Sequence, residues 1–177
     1  VKIGIFYGST YGNTASVAEQ IGAWLERLLG QTVPVLDIAR TEPQELEIYD
    51  QLLLGCSTWN VGELQDDWDA KFRQLEHLKL MGKHVALFGM GDQLGYGESF
   101  CDALGILGEK LEELGATLVG FWPVAGYEHY KSRGQRGGFF MGLALDDDNQ
   151  HHLTKTRIER WMAQVVEEFS LAVEVKR

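Results

Sequence analysis

Ile3-Gly4-Ile5-Phe6-Tyr7-Gly8-Ser9-Thr10-Tyr11-Gly12-Asn13-Thr14 decides how the rest of the chain is read. It is an apolar run, then a neutral loop of glycines and hydroxyls, then a helical pattern from Ala15. A buried strand that breaks at Gly and resumes at helical period predicts a strand, a tight loop and a helix N-terminus. Such a loop offers unpaired backbone N–H groups beside Ser and Thr hydroxyls, and the ligand that suits them is an anion, most often a phosphate. No Gly-Lys-[Ser/Thr] closes the loop and residues 8–14 hold no cation, which excludes the P-loop. The dinucleotide pattern G-x-G-x-x-G is absent too. A neutral, hydroxyl-rich loop suits a phosphate that stays in place, as on a tightly held mononucleotide; the plain alternative is a strand–helix turn with ordinary capping residues.

Outward from that stretch, Val17, Ala18, Ile21, Trp24, Leu25, Leu28 and Leu29 continue a helix that Gly30 closes. Thr32–Asp37 is expected as a second strand, Arg40–Leu46 as a loop with a short helix, and Tyr49–Gly55 as a third strand. The Leu52-Leu53-Leu54 run of that third strand is apolar on both faces, as a central parallel strand requires. Helices are expected over Asp66–Leu75 and Phe100–Leu114, and strands over Lys83–Phe88 and Thr117–Trp122. Residues 123–142 break the alternation and read as an insertion in the fifth strand, which resumes near Phe140–Leu145. Thr154 is expected to cap a last helix to Phe169, followed by a loosely held tail over 171–177. The alternation implies one α/β domain over 1–170: a doubly wound, five-stranded parallel sheet with helices on both faces.

The 177 residues carry a net charge of −10, with 45% hydrophobic and 24% charged residues. That balance is globular, and its sign argues against nucleic acid and for a basic protein partner. Cys56 and Cys101 have neither metal-ligand spacing nor C-x-x-C, which suits two reduced thiols in a cytoplasmic protein. No run is long enough to cross a membrane, and no signal peptide precedes the first strand, so a soluble, cytoplasmic protein is expected; its expected state is a monomer.

In a doubly wound sheet a ligand sits outside the carboxyl ends of the strands. Three loops there look equipped: 8–14 with anion donors, 56–62 with Trp59, and 89–97 with Tyr96. Two aromatics facing one another across a cleft, beside a phosphate loop, describe a receptacle for a planar ring with a phosphate tail.

The segments FYGSTYGNT, GCSTWNVGELQDDW, FGMGDQLGYGESFCDALG, VGFWPVAGYE and GLALDDDNQ, taken together, resemble the long-chain flavodoxins nearly end to end. The resemblance implies the flavodoxin-like strand order 2-1-3-4-5 and FMN at the switch point. It implies that Ser9, Thr10, Tyr11, Gly12, Asn13 and Thr14 hold the phosphate. Ser57, Thr58, Trp59, Asn60, Val61 and Gly62 would border the ribityl chain and one face of the ring, and Gly91, Asp92, Tyr96 and Cys101 the other face and the pyrimidine edge. Two positions depart from the family pattern: Tyr11 stands where Ser or Thr is usual, leaving one phosphate contact open, and Ser57 stands where Pro is usual, loosening the approach to the Trp59 loop.

The implied function is a low-potential one-electron carrier that shuttles non-covalently bound FMN between semiquinone and hydroquinone. A NADPH-dependent ferredoxin/flavodoxin reductase would be the donor and redox enzymes the acceptors. Stacked aromatics, an uncompensated phosphate and the acids Asp66, Asp67, Asp69, Asp146, Asp147 and Asp148 would all oppose further negative charge on the ring. The same acids would dock basic partners. Rotation of the Asn60–Val61 peptide toward flavin N5 is the further expectation. An FMN-dependent NAD(P)H quinone or flavin reductase is the rival, but no spare basic cluster is available for a nicotinamide nucleotide. A phospho-receiver would need acids after the first strand and at the end of the third, where Tyr7-Gly8 and Gly55-Cys56 stand.

Overall fold

The computed structural model describes residues 1–171. The tail expected over 171–177 therefore lies, but for Leu171, outside the described residues. In chain order the elements are β1 (Ile3–Gly8), α1 (Asn13–Leu29), β2 (Val35–Asp37), β3 (Gln51–Cys56), β4 (Thr58–Trp59), β5 (Glu63–Leu64), α2 (Asp66–Phe72), β6 (His84–Met90), α3 (Asp102–Glu113), β7 (Thr117–Val119), β8 (Trp122–Pro123), β9 (Gln135–Arg136), β10 (Phe139–Phe140), β11 (Leu143–Leu145) and α4 (Asp147–Glu168).

β1, β3 and β6 are apolar on both faces because both faces are covered. Phe6, Leu52, Leu54, Val85 and Leu87 face one side and pack with Trp68, Leu104, Leu107 and Leu111. Ile3, Ile5, Leu53, Ala86 and Phe88 face the other and pack with Val17, Ile21 and Leu25 of α1 and Ile158, Trp161 and Val165 of α4. The sheet order is β2-β1-β3-β6-β11, all parallel, with β7 also on β6. This is the doubly wound, flavodoxin-like order.

β7 pairs with the first half of β6, at His84–Ala86, and β11 with the second half, at Phe88–Met90. The two are one interrupted fifth strand. The strand leaves the sheet after Val119, earlier than Trp122, because Trp122–Pro123 pairs antiparallel with β10, which in turn pairs with β9. The intervening segment is thus a three-stranded sheet of its own rather than an irregular loop. Its short strands lack the alternation that would reveal them. Tyr127 anchors it: its hydroxyl donates to the Ala144 carbonyl and accepts from the Trp122 indole, and the Arg157 guanidinium lies 4.1 Å from the ring centroid.

Other boundaries move for identifiable reasons. β2 begins at Val35, since Pro34 has no N–H to pair; its carbonyl accepts from Ile5 N. Helix α2 is shorter than Asp66–Leu75 and tightens into a 3₁₀ turn over Arg73–His77. α3 starts at Asp102, because Cys101 takes a left-handed backbone with φ 52°. α4 starts at Asp147, well before Thr154, with a break at Gln150 (φ −133°, ψ 36°). Its cap is Asp146, whose carboxylate accepts from Asn149 N; Thr154 is internal and buried, its hydroxyl donating to Asp147 Oδ1 at 2.5 Å.

Candidate functional site

Four parallel strands, β1, β3, β6 and β11, deliver their carboxyl ends to one edge of the sheet. The segments that leave them close a cleft of about 370 Å³. From the first come Ser9, Thr10, Tyr11, Asn13 and Thr14; from the second, Ser57, Thr58, Trp59 and Asn60; from the third, Gly91, Asp92, Tyr96 and Cys101. Gly12, Val61 and Gly62, from the same expected set, sit in these loops but do not line the cleft.

Gly12 shapes the first loop from behind. Its φ of 93° caps α1, and its N–H donates to Ser9 Oγ at 3.0 Å. No acidic residue stands in the first turn of α1, so the positive end of the helix is not offset there. The second loop is a hairpin of β4 on β5, with Asn60 at φ 47° and Gly62 at φ 78° forming the turn. Asn60 Nδ2 donates to Glu63 Oε2 at 2.8 Å, and Thr58 Oγ1 accepts Ala103 N at 3.0 Å. Val61, at the tip, is exposed.

The third loop is built on Asp92, whose Oδ1 accepts Gly95 N at 2.7 Å, Leu94 N at 3.1 Å and Asn149 Nδ2 at 2.8 Å. Chiefly the Gly95 N–H, then the Asn149 amide and Leu94 N–H, hold its carboxyl below the usual range. Gly91 packs tightly: a Cβ there would meet the Phe100 ring at 3.0 Å and Cys101 Sγ at 3.1 Å, so those side chains would have to give by a few tenths of an ångström. Burial pushes the Cys56 thiol up to about 12. Burial, then Asp146 and Asp102, hold the Cys101 thiol well above its ordinary value.

Asp146 is a correction to the expected acidic surface. It has no exposure at all, and all its partners present N–H groups: Gln93 N and Nε2, and Asn149 N and Nδ2. Gln93, itself buried, also accepts Glu128 N at 2.6 Å, which ties the insertion to the third loop. Asp66 and Asp69 are exposed and Asp67 half-buried, as surface acids should be. Asp147 and Asp148 line the cleft. Burial and then Asp92, Asp146 and Asp147 raise the pKa of Asp148.

The sequence reading did not find Met90, Ser99 and Phe100 in the cleft wall, nor Gln65 beneath it. Gln65 is buried, caps α2, and donates to Thr10 Oγ1 at 3.3 Å. Gln is not a usual capping residue, so nothing local marks it. At Ser57, where Pro is usual in the pattern, the hydroxyl accepts the Trp59 indole N–H at 3.1 Å.

The cleft therefore joins an uncompensated helix N-terminus, a row of hydroxyls and several aromatic rings, and among the described residues no Lys, Arg or His stands in its wall. On this strand order, that arrangement places the protein in the flavodoxin-like class of doubly wound folds. The flavodoxin family model matches residues 5–161. The chain is 47% identical to a flavodoxin of Synechococcus elongatus over 171 residues, covering 96% of this chain and 99% of that one. It is 49% identical to Flavodoxin 1 of Escherichia coli K12 over 170 residues, covering 95% and 94% respectively. Among solved structures, the Fusobacterium nucleatum flavodoxin bound to flavin mononucleotide superposes with a TM-score of 0.88 at 32% identity, over 94% of this chain and 98% of that one. The chain belongs to the flavodoxin family, a family of electron-transfer proteins rather than enzymes.

Proposed function

We propose that this flavodoxin binds FMN non-covalently in the strand-end cleft and carries single electrons at low potential. The observation that carries the reading is the wall of the cleft: hydroxyls and a bare helix N-terminus together with aromatic rings, and no Lys, Arg or His among the described residues that line it. The residues present fit the group. The volume is in the range of cofactor sites, and Ser9, Thr10, Asn13 and Thr14 offer the donors a phosphate needs. FMN, when bound, supplies the redox chemistry, accepting electrons one at a time.

The chain's own residues do the rest. Thr58, Trp59 and Asn60 wall one side, and Gly91, Asp92, Tyr96 and Cys101 the other. Trp59 and Tyr96 exclude water and, with Asp92, Asp147 and Asp148, oppose the accumulation of negative charge. Asn60, which leads into the Asn60–Val61 peptide, holds a left-handed φ of 47° that Asn tolerates, so the peptide can rotate at small cost and offer the Asn60 carbonyl as a hydrogen-bond acceptor toward N5.

A NADPH-dependent ferredoxin/flavodoxin reductase as donor, and basic redox enzymes as acceptors, fit the exposed Asp66 and Asp69 beside the cleft and the net charge of −10. A monomer in the cytoplasm is consistent with the two buried free thiols, and among the described residues no helix is long and apolar enough to cross a membrane. The test is a fluorescence titration of FMN into the apoprotein. Stoichiometric binding with quenched flavin emission is expected from stacking on Trp59 and Tyr96; free FMN with unchanged emission would overturn the reading.

A further inference from the structure

Trp59 is held by two neighbours from two different loops. Its indole N–H donates to Ser57 Oγ at 3.1 Å, within ordinary hydrogen-bond range. Its ring lies 5.4 Å from the Tyr11 ring, centroid to centroid, at 50°, inside the range of favourable aromatic pairs. Tyr11 is 81% exposed, and Trp59 is the aromatic ring it meets among the described residues. Ser57 follows β3 and Tyr11 follows β1, so the indole bridges the first and second loops of the cleft. These are also the two positions where the chain departs from the family pattern. A Pro at 57 could not accept the indole proton, and a Ser or Thr at 11 could not stack. Both departures add a contact to the same side chain.

We propose that Tyr11 and Ser57 are positioning residues that clamp the Trp59 indole as a rigid wall of the cleft and so set how well that face is kept dry. The proposal rests on FMN occupying the cleft. A dry, fixed wall penalises the more negative, reduced form of the cofactor more than the oxidised one. The clamp therefore widens the affinity ratio between the two forms and makes the last electron harder to add. A merely structural role would weaken both forms alike and leave the potential unmoved.

The test has two readouts on Tyr11→Ser, Ser57→Ala and the double variant; both sites lie outside the sheet, so folding should survive. In the apoprotein, the Trp59 indole N–H is followed by NMR and assigned with Trp59→Phe. Ser57→Ala should speed its exchange with solvent, and Tyr11→Ser should move its resonance. With FMN bound, the midpoint of the second one-electron couple is measured. Each single variant should narrow the affinity ratio about threefold and the double about tenfold, which is a rise of about 59 mV. Tyr11→Phe and Ser57→Thr, which keep the ring and the hydroxyl, should move it no more than a third as far. Midpoints of all variants coinciding with wild type while FMN binds would overturn the clamp alone. Failure of the wild-type apoprotein to take up FMN would overturn the functional reading, and an unmoved indole signal in that case would overturn the clamp as well.

Discussion

Replacing Gln65 by Leu isolates the joint between the fold and the cleft. The Gln65 Oε1 accepts Asp67 N at 3.1 Å and Trp68 N at 3.4 Å, while Nε2 donates to Asp67 Oδ2 at 2.7 Å and to Thr10 Oγ1 at 3.3 Å. Leu fills similar space but leaves both backbone N–H groups without an acceptor. Loss of a helix cap costs about 1 kcal/mol, and the buried Trp68 N–H adds at least about 1 kcal/mol more. Roughly 2 kcal/mol in a domain of this size lowers Tm by about 4–8 °C. Thr10 loses its tether as well, so affinity for FMN should fall about fivefold, the equivalent of about 1 kcal/mol. Gln65→Glu separates the two halves of the effect. It keeps the acceptor for the cap but sets a second carboxylate against Asp67. Its loss should be present at neutral pH and shrink as the pH falls into the carboxylate range. Thermal melts of the apoprotein and FMN titrations read both quantities. A Gln65→Leu melt within about 1 °C of wild type would refute the reasoning.

Three further expectations follow from the same geometry. The buried thiols of Cys56 and Cys101 stay protonated in the folded protein far above the ordinary value of 9.0, whereas the unfolded chain releases these protons near that pH. Stability should therefore be fully present below about pH 9. Above it, stability should fall by about 1.4 kcal/mol per pH unit per thiol toward the folded value, about 12 for Cys56; a urea midpoint that stays flat above pH 9 would contradict this. Gly142→Ala would drive a Cβ into the Leu87 carbonyl, a backbone atom that cannot move aside, and should cost about 4 kcal/mol or prevent folding. Gly138→Ala meets nothing within 4 Å and should lie within about 0.5 kcal/mol of wild type by urea unfolding. Asn60→Gly should ease and Val61→Pro hinder rotation of the Asn60–Val61 peptide, moving the separation of the two one-electron midpoints in opposite directions; an unchanged separation in both would refute that role.

Strands buried on both faces announce themselves as unbroken apolar runs, which is why β1, β3 and β6 and their order are legible. The loops that follow them carry Gly, hydroxyl and aromatic residues in patterns that survive translation into geometry, so most of the cleft wall is legible too. Boundaries fail where the cause is tertiary. β7 stops at Val119 because Trp122 has its partner in β10 at Phe140, far along the chain and in no recognisable pattern. α4 starts at Asp147 because Asp146 is recruited by Gln93 from a distant loop. Three consecutive aspartates read as a charged surface; that the first is wholly buried depends on the amide donors supplied by Gln93 and Asn149. Gln65 and Gln93 carry no local signal because their value lies in reaching two partners at once. Tyr11 and Ser57 are legible as departures, but their common target, Trp59, is legible only in space.

The most direct test of the one-electron reading is an anaerobic, stepwise reduction of the FMN-loaded protein followed by visible absorbance. The account expects two resolved one-electron steps, the second at a strongly negative potential, with no direct reduction by NADPH in the absence of a reductase. A single two-electron reduction by NADPH alone would contradict it and place the protein among the reductases.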